Sequence, residues 1–331
     1  RRSYKKQYFK ECLIKHFMKI NLLITGGLGY IGSFTAKNIF TRNKKKTYVI
    51  DDLSRGNNFA KKYSNYKILN VSERKTQKFI QDKKINTILH LAALTCVRES
   101  INNKKKYHKN FKFQLKFIKS LKKTNVKYFI FSSSLSVFEG NKLKKNLSPY
   151  SSYKLKLERF LKKISSKNFK VIVLRYPNII GSEPSGKLGE KNKFISRIVP
   201  FFYKNILKRK KNLLFYDFKK KVYPRRSYTH VNDISNINMN VINNYKKFKK
   251  NFYIFNLSSR KQYSNFQVLE ELSKIMKIKP KYEIKQINKK ESITQIIKSG
   301  DDISKFINYK PKYLNLKKIL KTNIRWFKKI Y

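Results

Sequence analysis

Residues 20–25 (INLLIT) form an apolar run that passes directly into Gly26-Gly27-Leu28-Gly29-Tyr30-Ile31-Gly32, after which residues 33–40 resume with helical spacing. Strand, glycine turn and helix in that order leave few folds open. Gly27, Gly29 and Gly32 stand in a GxGxxG pattern whose missing side chains let a turn tighten and its backbone approach a pyrophosphate at a helix N-terminus. Asp51 follows Gly32 by 19 residues, at the end of the next apolar segment, residues 47–50. An acid there accepts hydrogen bonds from adenosine ribose hydroxyls and repels a 2′-phosphate, so the pattern predicts a tightly held NAD. The competing explanation, a packing turn followed by an unrelated turn aspartate, does not account for the agreement in order and distance.

Further apolar segments at 86–91, 127–131 and 171–174 alternate with helical patterns at 107–123 and 151–164. Such alternation predicts βαβ units and an α/β chain: a Rossmann-like, doubly wound parallel sheet covered on both faces. Beyond Arg175 the alternation fails, and Pro177, Gly181, Pro184, Gly186 and Gly189 mark irregular loops. The expected organisation is a dinucleotide-binding domain over 18–175 and a smaller C-terminal α/β substrate-binding lid over 176–331, with some segments of the latter returning to the sheet. Residues 1–17 are rich in Lys and Arg and lack the apolar core of a secretory signal, and Met18 directly precedes the first strand. They are expected to be a non-native or disordered leader.

Composition matters chiefly through charge. The 331 residues carry Lys+Arg 80 against Asp+Glu 18, a formal +62. That balance raises the prospect of a polyanion partner. Against it, only 14 of the basic residues are Arg, the bidentate phosphate binder. The Lys residues are spread over every segment and are enriched together with Asn, Ile, Phe and Tyr, the signature of an A/T-rich coding bias. No specific nucleic-acid partner is therefore expected. No stretch reaches the roughly 18 uninterrupted apolar residues of a membrane span. Cys12 and Cys96 are too few for a disulfide framework, which favours a reducing cytoplasm. His16, His90, His108 and His230 form no metal-ligand spacing, and no metal is expected; His90 reads as a core residue and His230 as one packed under the nucleotide.

The chemistry is expected at Ser134, which ends an apolar strand, and at Tyr150 and Lys154, which share a helix face at i and i+4. A tyrosine of pKa about 10 becomes a base at pH 7 only if about 4 kcal/mol favours its anion. A neighbouring ammonium and a nicotinamide cation can supply that in a dry site. Among 22 Tyr and 66 Lys a YxxxK match alone is weak, and Tyr153 is a rival, but its i+4 partner is Leu157.

NLLITGGLGYIGS (21–33), VIDDL (49–53), ILHLAAL (88–94), VRES (97–100), YFIFSSS (128–134), SPYSSYK (148–154) and LRYPNIIGSEPSGKLGE (174–190) together resemble the extended short-chain dehydrogenase/reductases, and among them the UDP-glucose 4-epimerase family. The resemblance implies reversible hydride transfer through a 4-keto sugar, a UDP-sugar substrate, bound NAD and a homodimer paired through the helices at 107–123 and 151–164. It assigns catalysis to Ser134, Tyr150 and Lys154, and substrate contacts to Ser134, Asn178 and Arg226. Cofactor contacts fall to Gly26, Gly27, Gly29, Tyr30, Ile31 and Gly32 in the turn, and to Asp51, Asp52, Asn70 and Val71 on the adenosine side. Ala92, Ala93, Asn110, Tyr150, Lys154 and Tyr176 complete that set. Leu135 and Ser136 occupy the place of a dehydratase Asp-Glu pair, against water elimination. Departures from the family lie at Thr95 (for lysine), Asn70 (for aspartate) and Ser196 and Arg197 (for paired asparagines), and its arginine-and-acid motif is matched only by Lys289, Lys290 and Glu291. These bear on the sugar, leaving an epimerase of UDP-N-acetylglucosamine or UDP-glucuronate, a related dehydrogenase, or a basic polyanion-binding protein of the same fold as alternatives.

Overall fold

The computed structural model describes residues 20–191, 197–257, 261–291 and 302–331. Residues 1–17, with Cys12 and His16 among them, and Met18 and Ser196 lie outside the described residues. Seven strands make one parallel sheet: β1 (Leu22–Thr25), β2 (Thr47–Asp51), β3 (Ser64–Ile68), β4 (Thr87–His90), β5 (Tyr128–Ser134), β8 (Lys170–Tyr176) and β12 (Phe252–Asn256). Their spatial order is β12-β8-β5-β4-β1-β2-β3. The chain builds outward from β1 through β2 and β3, then reverses at β4, so a crevice opens at the carboxyl ends of β1 and β4, where such sheets bind ligands.

Alternation along the strands divides two cores. Leu22, Ile24, Val49, Leu89, Ile130 and Ile172 face α1 (Tyr30–Asn43) and α7 (Val231–Asn243). Leu23, Ile50, Ile88, Phe129, Phe131 and Val173 face α4 (Lys104–Ser120) and α5 (Pro149–Ile164). Each fully buried Leu, Ile or Phe contributes about 1.5–3 kcal/mol by leaving water.

The expected elements are present with shifted ends. The helix at 33–40 extends over Tyr30–Asn43, and the one at 107–123 starts at Lys104 and closes in a 3₁₀ turn, Leu121–Lys123. Ser132–Ser134 lie within β5 rather than after it, because the Ser132 hydroxyl donates to the His90 carbonyl at 2.8 Å and the Ser133 hydroxyl to Glu158. β8 runs two residues past Leu174.

Beyond Tyr176 the chain supplies β12 to the sheet and α7 to one of its faces, and otherwise builds a second layer. β9 (Asn178–Ile180), β11 (Arg225–His230) and β13 (Gln262–Ser264) form one small sheet, and β10 (Lys211–Tyr216) pairs in parallel with β14 (Lys281–Gln286). They pack with α6 (Ile198–Leu207), α8 (Asn265–Met276) and α9 (Leu316–Ile330) around Phe202, Leu214, Leu269, Trp326 and Phe327. Among the described residues no helix is long and apolar enough to cross a membrane.

Candidate active site

The glycine turn fits a dinucleotide on steric grounds. Gly26 has φ +67°, and a Cβ there would stand 2.7 Å from the Ala92 nitrogen; one on Gly32 would meet the Gly26 carbonyl at 2.3 Å. Only bare backbone closes this turn. The N-cap of α1 is Gly29, which offers no side-chain acceptor, so its first-turn amides at Tyr30 and Ile31 and the helix dipole are presented to an anion. Tyr30 itself turns its hydroxyl to the Gly181 carbonyl.

Asp51 is buried at the end of β2 and braces this turn. Its carboxylate accepts from Leu28 N at 3.0 Å and Leu53 N at 2.8 Å, and burial pushes its pKa up. A carboxylate has about four lone-pair sites, which leaves capacity for ribose hydroxyls. Asp52 is exposed and accepts from Asn70 Nδ2 at 2.9 Å, while Asn70 Oδ1 accepts from Ser72. Val71 packs half-buried against the core. Ala92 and Ala93 follow β4, and Asn110 reaches back from α4 to cap Leu94 N at 3.2 Å. Tyr176 ends β8 with its hydroxyl donating to Asn238 Oδ1 at 2.6 Å, so it serves the joint to α7.

Ser148 caps α5 by accepting from Ser151 N at 3.2 Å, and Pro149 opens the helix, which fixes Tyr150 in its first turn and Lys154 one turn on. Tyr150 lies near enough to Ser134 for its hydroxyl to favour the tyrosinate, and the Ser134 hydroxyl also accepts from Ser136 N at 3.1 Å. Lys154 Nζ donates to the Ser132 carbonyl at 2.7 Å and lies 4.7 Å above the Phe131 ring. Burial pulls its pKa down to about 7, against the opposing pull of Glu158. Burial likewise pushes Tyr150 up, while the Ser134 hydroxyl and the Arg197 charge pull it down. Arg197 thus adds a cation that favours the tyrosinate, while the Ser132 carbonyl holds the Lys154 ammonium against β5. Tyr153 is engaged by α4: it stacks on Phe111 at 4.8 Å and meets His108 Nδ1 at 3.2 Å.

Two groups went unrecognised in sequence. Glu158, one turn beyond Lys154, binds Arg175 in a buried fork (Oε2–Nη2 2.6 Å, Oε1–Nε 3.0 Å) and ties α5 to β8. Its only sequence signal was a carboxylate four residues after Lys154. Arg197, noticed merely as a departure, is anchored to buried Glu190 at 3.0 Å and brings its guanidinium within 3.5 Å of Thr95 Oγ1 and the Ile179 carbonyl.

On the lid side, Asn178 begins β9 exposed and registers with Tyr228, two residues from Arg226. Arg226 feels the charges of Glu291 and Arg98, which with Asn146, Phe215, Gln286 and Asn288 line a cleft of about 670 Å³. Glu291 receives Arg98 Nε at 2.9 Å, while Lys289 and Lys290 also line the cleft. His230 is buried in the second layer. It is enclosed by Gly181, Thr322 (3.2 Å) and the Tyr313 ring stacked at 3.7 Å, and His90 is buried between Phe117 and Phe131.

Residues 22–258 match the family described as the NAD dependent epimerase/dehydratase family. A UDP-glucose 4-epimerase of Lactobacillus helveticus is 26% identical over 326 residues, covering 93% of this chain and 97% of that protein. One from Streptococcus mutans is 24% identical, covering 92% and 96%. The solved structure of UDP-glucose 4-epimerase from Bifidobacterium longum, in complex with NAD+ and UDP, superposes with a TM-score of 0.82 at 23% identity over 93% of this chain and 98% of that one. Glycine turn, brace aspartate and the Ser134–Tyr150–Lys154 set thus stand within a fold and sequence pattern shared along nearly the whole chain, and the protein belongs to the NAD dependent epimerase/dehydratase family.

Proposed function

We propose that the chain is an NAD-dependent UDP-sugar 4-epimerase, acting first on UDP-glucose and UDP-galactose. The observation that carries this reading is the placement of Tyr150 and Lys154 on one helix that the Lys154–Ser132 hydrogen bond holds to the strand ending at Ser134. The names of the similar proteins agree with it. NAD, when bound, would supply a reversible hydride acceptor for the sugar C4. Ser134 hydrogen-bonds the reacting O4 and Tyr150 holds its proton, giving it back when the 4-keto sugar is reduced. Lys154 and Arg197 oppose the cost of a buried tyrosinate. Asn178 and Arg226 hold the sugar nucleotide from the lid side, with Arg226 pairing the diphosphate.

Water elimination is disfavoured: Leu135 is buried, and the Ser136 hydroxyl accepts from Ser151 at 2.8 Å, so no acid/base pair follows Ser134. Two cysteines in 331 residues fit a reducing cytoplasm. Half-buried Phe111, Leu115, Tyr153 and Phe160 on α4 and α5 fit a homodimer through that face, which light scattering reads as twice the chain mass. The mechanism is tested with UDP-galactose deuterated at C4: UDP-glucose that keeps the label at C4 supports it, and exchange with solvent opposes it.

A further inference from the structure

β2 and β4 are the two neighbours of β1 in the sheet. Any contact between the segments following them arches over the glycine turn that follows β1. One such contact is made by Arg55, in the loop after β2, and Glu99, in the helix Val97–Asn102 after β4. Arg55 Nη2 lies 2.7 Å from Glu99 Oε1 and 2.5 Å from Oε2.

We propose that Arg55 and Glu99 form a strap across the dinucleotide crevice that sets how fast the bound cofactor leaves; the inference rests on the NAD-dependent reading above. Both ends are anchored. On the β2 side, Leu53 N is held by Asp51 and Asn57 N donates to the Leu28 carbonyl at 3.0 Å, so the loop carrying Arg55 lies against the turn itself. On the β4 side, the Glu99 carboxylate also accepts from Lys106 at 2.7 Å and from the Tyr107 hydroxyl at 3.0 Å, while that hydroxyl receives Cys96 N at 3.0 Å. Hydrogen bonds from Lys106, Arg55 and Tyr107 hold Glu99 below the usual carboxylate range although burial opposes them, so the strap stays charged in mild acid. The side chains of Arg55 and Glu99 are 21% and 24% exposed, half-shielded, which makes the pair stronger than a free surface one. A dinucleotide lying along the turn must pass this pair to exit, and neither residue touches Ser134, Tyr150 or Lys154 in the sequence of proton and hydride steps.

The test uses the full-length holoenzyme and its R55Q, E99Q and R55K variants. Release of bound NAD is followed on mixing with excess fluorescent etheno-NAD, and thermal unfolding is recorded in parallel. R55Q and E99Q are expected to release NAD about fivefold faster, the factor for one partly buried ion pair, and R55K to stay close to wild type. Unchanged release in R55Q and E99Q, with or without a lower melting temperature, overturns the strap and leaves a mere fastener. A wild-type protein that neither carries nor takes up NAD overturns the underlying reading instead.

Discussion

The Lys154 ammonium donates to the Ser132 carbonyl at 2.7 Å, so the helix that carries Tyr150 is pinned to the strand that carries Ser134. One turn further on, Glu158 joins the same helix to Arg175 of β8 and to Ser133 of β5. Two successive turns of one face thus fix the distance between the base and its hydroxyl partner, and several predictions about chemistry and stability derive from that clamp.

Tyr150→Phe removes the proton acceptor while leaving the ring that packs in the site. Its kcat is expected to fall about 10²- to 10⁴-fold with bound NAD retained. Steady-state rates with UDP-galactose, together with the nucleotide content of the purified variant, check this. Activity within tenfold of wild type would remove Tyr150 from the reaction.

Lys154 is depressed to about 7 in the fold and returns to its ordinary value on unfolding. Between these pH values the unfolded chain binds more protons, so this residue makes stability rise with pH from about 7 upward, by at most about 1.4 kcal/mol per pH unit. Urea midpoints of the cofactor-free protein at pH 7, 8 and 9 should climb more steeply for wild type than for K154M. Parallel slopes would contradict the burial of that ammonium.

His90 and His230 are both pulled down to about 3 by burial, against an ordinary value of 6.5. They stay neutral in the fold while the unfolded chain takes up protons, so stability is lost as pH falls from 6.5 toward 3. H90Q is expected to unfold with a shallower acid dependence than wild type in denaturant melts at pH 6.5, 5.5 and 4.5. Identical acid slopes would show that His90 is protonated in the native state.

Glu158→Ala leaves the Arg175 guanidinium buried without its carboxylate. Breaking such a pair costs about 3–5 kcal/mol, whereas replacing both partners by apolar residues is far milder. Urea unfolding should rank wild type and E158L/R175M well above E158A. Because the clamp positions Tyr150, kcat of E158A should fall while KM changes little; a loss confined to stability would leave the helix positioned by Lys154 alone.

What was legible in the sequence was local. GxGxxG, Asp51, and the Tyr150–Lys154 spacing each lie within one strand–turn–helix unit or one helical turn, where residue order is geometry. β3 (SNYKI) and the helix Arg74–Asp82 gave no comparable signal. β3 is an edge strand of which only Ser64 is buried, and the helix buries only Thr76 and Ile80. The lid was equally opaque, since β10 and β14 pair across some seventy residues. Arg55 and Glu99 stand 44 residues apart, and Glu158 and Arg175 stand 17 apart on different elements. Such pairs acquire meaning only when the sheet order brings their elements together. The i, i+4 spacing puts Lys154 and Tyr150 on one helix, but the tie of Lys154 to a backbone carbonyl depended on Ser132 lying inside β5.

The most direct measurement is proton NMR of the purified protein mixed with UDP-galactose and no added NAD. The account predicts growth of the gluco anomeric signal toward a fixed equilibrium ratio, without net redox change and with NAD released on denaturing the protein. A protein that carries NAD and leaves both UDP-galactose and UDP-N-acetylgalactosamine unchanged would contradict 4-epimerisation of these sugars by Tyr150 and Ser134.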